Sequence, residues 1–129
     1  MKTEARELPI LTRALGERCC ADDFAMALPV AEAEELTAEL ETLANPIRLR
    51  LLSLIASSPG PVCVCDLEAA VPVKQPTVSH HLKLLRAAGL VAGEKRGLWA
   101  YYTIRRESLE RLRGTITAGL DRLMGGGHG

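Results

Sequence analysis

The chain has 129 residues, 47% apolar but only 3% aromatic, and a formal net charge of zero. That length suits one compact domain with a core that needs no disulfide staples; the scarcity of aromatics leaves Leu, Ile, Val and Ala to build it, which favours helices. No apolar run approaches the roughly 20 residues that cross a bilayer, and the N-terminus MKTEARELPI has no apolar signal core, so a cytoplasmic protein with no membrane partner is expected.

In chain order, Leu8, Leu11 and Leu15 are at helical spacing, with Gly16 as a stop. Residues 17–30 read as a linker that carries Cys19 and Cys20. Leu36, Leu40 and Leu43 form one stripe of a helix over 32–43, with acids on its other face. Asn45 is a natural N-cap and Pro46 fits the first turn of the next helix, which SSPG ends. VCVCDLEAAV reads as a helix of about two turns, and PVKQPTVSHHLKLLRAAGLV as turn, helix and stop, with Gly89 closing it. LVAGEKRGLWAYYTIRR alternates around a β-turn containing Gly97. Over 107–124, Leu109, Leu112, Ile116, Leu120 and Leu123 recur every three or four residues, a stripe suited to a partner helix or to a core. The tail GGGHG, with His128, reads as disordered.

This order is mainly α with a β-hairpin wing, a winged helix-turn-helix in which the second helix of the pair enters the major groove and the hairpin grips the flanking backbone. It divides the chain into an N-terminal helix and cysteine-bearing segment at 1–30, a DNA-binding and dimerisation domain at 31–124, and a disordered tail at 125–129. The charge distribution agrees. Residues 21–45 hold seven acids and no base, whereas 74–113 hold nine bases and three acids, so the neutral total conceals a basic second half. Gln75, Thr77, Ser79 and His80 are placed to touch base edges or phosphates, with charge from Lys83 and Arg86 and from Lys95 and Arg96 at the wing tip. His80 and His81 point about 100° apart on a helix and cannot easily share an ion; His80 is expected to face DNA and His81 the interior.

CVCDL, then QPTVSHHLKLLRAAGLV, then KRGLWAYYTI closely resemble the ArsR/SmtB family of bacterial metal-responsive repressors, over about residues 35–123. The resemblance implies a homodimer paired through its terminal helices, which binds an inverted-repeat operator in double-stranded DNA and leaves it when a metal or metalloid binds. One departure is Lys74, where the family usually has Ser just before Gln-Pro-Thr. A helix cap worth about 1 kcal/mol is thereby absent, and the Lys74 ammonium offers a phosphate contact in compensation.

The inducer follows from the ligands available. Zinc-type members carry His and carboxylates on the last helix; here that helix offers Glu107, Glu110 and Asp121 and no histidine. The candidate ligands are four thiols, Cys19, Cys20, Cys63 and Cys65, and thiolates select soft ions. CVCDL resembles the family's arsenic- and cadmium-sensing site, but the third cysteine of the arsenic versions is replaced by Glu68. On a regular helix residues i and i+2 lie about 200° apart, so Cys63 and Cys65 converge only if the helix start unwinds. A third thiol must come from Cys19 or Cys20. Three thiolates suit As(III) or Sb(III); all four would suit Cd(II) or Pb(II). Members with an N-terminal cysteine pair resemble As(III) sensors whose site joins that segment of one subunit to the cysteine helix of the other. Whether Cys65 joins Cys63, and whether the site crosses the dimer, stay open at this level.

The reading that follows is an arsenite- or antimonite-responsive repressor with no organic cofactor. Its rivals are a Cd(II)/Pb(II)-responsive repressor and a thiol-redox sensor on the same fold. An enzyme is not expected, since there is no C-x-x-C in a βαβ setting, no Ser/His/Asp set and no paired carboxylates. A purely structural dimerisation module would leave the basic helix and wing unexplained.

Overall fold

The structure, a computed structural model, describes residues 26–125. Eight elements follow in order: α1 (Val30–Leu43), α2 (Pro46–Ser57), β1 (Val62–Cys63), α3 (Val64–Ala70), α4 (Gln75–Ala87), β2 (Val91–Arg96), β3 (Trp99–Ile104) and α5 (Arg106–Leu123). This is a winged helix-turn-helix: α3 and α4 are the pair, and β2–β3 is the wing. No helix among the described residues is long and apolar enough to cross a membrane.

The core sits where α2, α3 and α4 meet the sheet. Leu51 and Ile55 of α2, Leu67 of α3, and Val78, Leu82 and Leu85 of α4 pack together with Tyr102 of β3. On α4 the buried residues Val78, His81, Leu82 and Leu85 follow the i, i+3, i+4, i+7 pattern of a single face. Asn45 starts α2 as expected, its side chain accepting from the backbone N–H groups of Ile47 at 2.9 Å and Arg48 at 3.1 Å. α4 ends in a paired turn: Gly89 N–H donates to Arg86 and Leu90 N–H to Leu85, with Gly89 at φ +79°. That left-handed position is why glycine stands there.

Beyond the core, α1 lies on α5. Leu36 meets α5 where Gly119 has no side chain, and a Cβ there would stand 2.6 Å from Leu36 Cδ2. An ion pair between Glu32 and Arg122 joins the same two helices.

One expected element divides. VCVCDLEAAV is not a single helix: Val62 and Cys63 form β1, paired antiparallel with Tyr102 and Tyr101 of β3, and the helix begins only at Val64. The sheet is therefore three-stranded, in the order β1-β3-β2. Val62 is β-branched and fits a pleated edge, and pairing satisfies backbone groups that a helix starting there would leave open. In the wing, Arg96 faces Trp99, leaving Gly97 and Leu98 as a two-residue loop. Gly97 has φ +65° and Leu98 does not have a positive φ, which defines a type II′ turn.

Candidate DNA interface and thiol site

The side chains expected to meet DNA are all exposed: Gln75, Thr77, Ser79, His80, Lys83 and Arg86 on α4, and Lys95 and Arg96 on the wing. With about 100° between successive residues, His80 and Lys83 stand opposite the buried stripe of α4. Gln75 and Ser79 lie on one flank and Thr77 on the other. Arg86 is partly committed elsewhere. Its side chain lies across Gly93 of β2, where an added Cβ would stand 3.3 Å from Arg86 Cδ, so the end of α4 is joined to the base of the wing. Arg96 is also held: its Nε donates to Glu94 at 3.3 Å and its guanidinium lies 5.0 Å from the centre of the Tyr101 ring. Lys95 forms no ion pair among the described residues.

His81 turns inward and is 9% exposed. Its Nδ1 lies 3.1 Å from an Arg48 guanidinium nitrogen. Arginine only donates, so Nδ1 accepts and the ring is neutral. Burial first, then the charges of Arg48 and His80, hold its pKa below the ordinary 6.5. Arg48 also donates from Nε to Thr42 O at 2.7 Å and from its other terminal nitrogen to Glu41 O at 2.9 Å, capping the C-terminal carbonyls of α1. One side chain on α2 thus ties α1 to the recognition helix α4. Arg50 does likewise for α3, donating to Ala70 O at 3.1 Å. Sequence reading passed over both arginines. A signal for Arg48 existed, since a cation in the first turn of a helix opposes the helix dipole unless it is engaged elsewhere.

Lys74 occupies the N-cap of α4 and makes no side-chain cap bond. Lys74→Ser is expected to raise stability by about 1 kcal/mol. If Lys74 meets a phosphate, the same change lowers the slope of log K against log salt by about 0.9. Thermal melting and a salt series of DNA binding read the two effects separately.

Of the four thiols, Cys63 and Cys65 fall within the described residues; Cys19 and Cys20 lie outside them. Cys63 is the N-cap of α3, extended at φ −66° and ψ 139°, and its Sγ accepts from the Cys65 backbone N–H at 3.4 Å. Cys63 is buried and Cys65 exposed. Cys63 precedes the helix as its N-cap rather than lying within it, so the separation of about 200° on a regular helix does not describe this pair. A side-chain hydrogen bond with Cys63, followed by desolvation and the charges of Cys63 and Asp66, holds the Cys65 thiol above its ordinary pKa. Among the described residues no group of three or more His, Cys, Asp or Glu side chains could hold a metal ion. Two of the four candidate thiols, Cys63 and Cys65, thus lie among the described residues, with no third potential ligand beside them there.

Comparison with known proteins adds the context. The family described as "Bacterial regulatory protein, arsR family" matches residues 45–92. A Halobacterium salinarum protein named "Putative arsenical resistance operon repressor ArsR2" is 39% identical over 110 residues, covering 77% of this chain and 87% of that one. A crystal structure described as "Possible transcriptional regulator for arsenical resistance" is similar with TM-score 0.57 and 35% identity, covering 67% of this chain and 93% of that one. A Mycobacterium bovis protein, Mb0332, described as a homodimeric winged helix-turn-helix DNA-binding domain, gives TM-score 0.53 at 26% identity, covering 70% of this chain and 84% of that one.

Proposed function

Because this chain belongs to the arsR family of bacterial regulatory proteins, DNA-binding regulators rather than enzymes, we propose that it is a dimeric repressor released from its operator by arsenite or antimonite. The ligands in this reading are thiolates of Cys19, Cys20 and Cys63, with Cys65 beside them. The repressor activity and a metal-ion inducer accord with the relatives' names; the choice of As(III) or Sb(III) rests on the all-sulfur ligand supply.

The observation that carries the reading is the position of Cys63. Its backbone belongs to the sheet of the wing, paired with Tyr101, while its sulfur caps the helix that precedes the recognition helix. An inducer bound to the Cys63 thiolate pulls on the sulfur that caps the start of α3 and so shifts it relative to the Cys65 amide. The same pull acts on β1, and through Tyr101 on the strand whose ring supports Arg96. The helix before the recognition helix and the wing are both attached to one cysteine. Moving an operator from mostly occupied to mostly free takes about 5.5 kcal/mol of differential affinity, a demand that thiolate ligation suits better than a weak contact.

Dimerisation in this proposal uses α5 and α1, where Leu120, Leu123 and Val30 are exposed apolar side chains. A two-fold dimer matches an inverted-repeat operator. Two rivals enter the same test: a four-thiolate Cd(II)/Pb(II) site and a disulfide switch. Operator complexes of the full chain are titrated with arsenite, antimonite, cadmium, lead and peroxide, the metal arms under reducing conditions. Release by arsenite and antimonite at the lowest concentrations is expected; release by cadmium, lead or peroxide alone would replace the inducer assignment.

A further inference from the structure

The wing tip holds an exposed apolar pair that neither the core nor the thiol site accounts for. Leu98 is 92% exposed, the most open large apolar side chain among the described residues, and its neighbour Trp99 is 51% exposed. Leu98 is the second central residue of the type II′ turn, and hairpin turns of this kind are dominated by Gly, Asn and Asp. A leucine here adds nothing to folding. It is, however, rigidly presented: β2 and β3 pair at six successive positions from Val91↔Ile104 to Arg96↔Trp99, directly below the turn.

We infer that Leu98, supported by Trp99, is an apolar wedge that enters the minor groove of duplex DNA beside the site read by α4. The inference rests on the DNA-binding reading and deepens it by naming what the wing reads. Continuity of charge selects this occupant. The basic surface runs from Lys83 on α4 to Arg86, which lies across Gly93 at the wing base, and on to Lys95 and Arg96. Glu94 is engaged by Arg96, which leaves Lys95 to give the tip a net positive charge. Such a tip fits a partner with phosphates outside and an apolar, stackable interior. Apolar wedges that enter the minor groove partly unstack a base step, and pyrimidine–purine steps are the least costly to unstack. The wing therefore contributes sequence preference through deformability, with no base hydrogen bond.

The test uses full-length protein to select duplexes from a library with randomised flanks around a palindromic centre. Wild-type protein is expected to enrich a TA or CA step at a fixed distance outside each half-site, and Leu98→Asn to lose that enrichment. On the selected duplex, Leu98→Asn weakens binding about tenfold, the scale set by burying part of a leucine, with an unchanged salt slope. Lys95→Gln gives the opposite signature, a shallower slope with the flank preference kept. Trp99 is the only tryptophan, so its emission reports directly on the tip and should be quenched by the duplex. Equal flank preferences and equal affinities for wild type and Leu98→Asn overturn the wedge while leaving DNA binding intact. Failure of the wild type to bind any duplex overturns both readings, and quenching of Trp99 by anionic lipid vesicles but not by DNA assigns the tip to a membrane instead.

Discussion

A Cys63→Ser protein is expected to fold, bind operator DNA normally and fail to release it with arsenite. Serine is among the best N-cap residues, so its hydroxyl replaces the Cys63 sulfur as acceptor for the Cys65 amide while removing the thiolate. The substitution thus separates the two roles proposed for one side chain. Loss of an outer partner of a metal ligand typically costs 10–100-fold in affinity, and loss of a ligand is expected to cost more than that, shifting the arsenite midpoint of release beyond about 100-fold. Cys65→Ser removes an exposed thiol that caps nothing. A small shift in that variant points to a site built on Cys63 with the N-terminal pair; an equally large one brings Cys65 into the site. Fluorescence anisotropy of the operator complex, titrated with arsenite for each variant, gives the midpoints. A Cys63→Ser protein that releases like wild type would remove Cys63 from the inducer site.

The long-stripe elements were legible in the sequence because burial on one face imposes a period. The α4 stripe, the Asn45 cap, the stop at Gly89 and the turn at Gly97 each follow from local chemistry and occur where expected. β1 was not legible. A two-residue strand is too short to show alternation, and its partner is forty positions away, at Val62↔Tyr102. That missed strand changed the thiol site most, because it moved Cys63 off the helix and brought its sulfur to the Cys65 amide. The inward turn of His81 could be foreseen from its spacing, whereas its partner Arg48 could not, since the contact joins residues 33 positions apart. The residue types for DNA contact were plain, but only the fold shows that Arg86 and Arg96 are already engaged by the wing itself.

Arg48→Met is expected to be the most damaging substitution outside the apolar core. Methionine keeps much of the packing of the stem but removes the donors to Glu41 O, Thr42 O and His81 Nδ1. Hydrogen bonds from a charged donor are worth about 1.5–3 kcal/mol. Water reaches the α1 carbonyls in part, so a total loss of about 2–3 kcal/mol follows, a drop in Tm on the order of 10 °C. The pH dependence carries a second signature. His81 has a folded pKa below 6.5, so the unfolded chain takes up its proton first as the solution is acidified. Its stability contribution is therefore complete above about pH 6.5 and declines as the pH falls below that value. His81→Gln removes this decline. Arg48→Met only reduces it, because burial, the larger cause, remains. Melting curves at pH 7.5 and 5.5 for wild type and both variants decide the matter, and three parallel losses on acidification would show that His81 is not the titrating group. Because Arg48 joins α1, assigned to the dimer, to α4, assigned to DNA, its loss also reaches function. Below the melting transition Arg48→Met should bind operator more weakly than wild type although it touches no DNA. The Arg48→Met/His81→Gln double mutant should then lose less than the sum of the single changes.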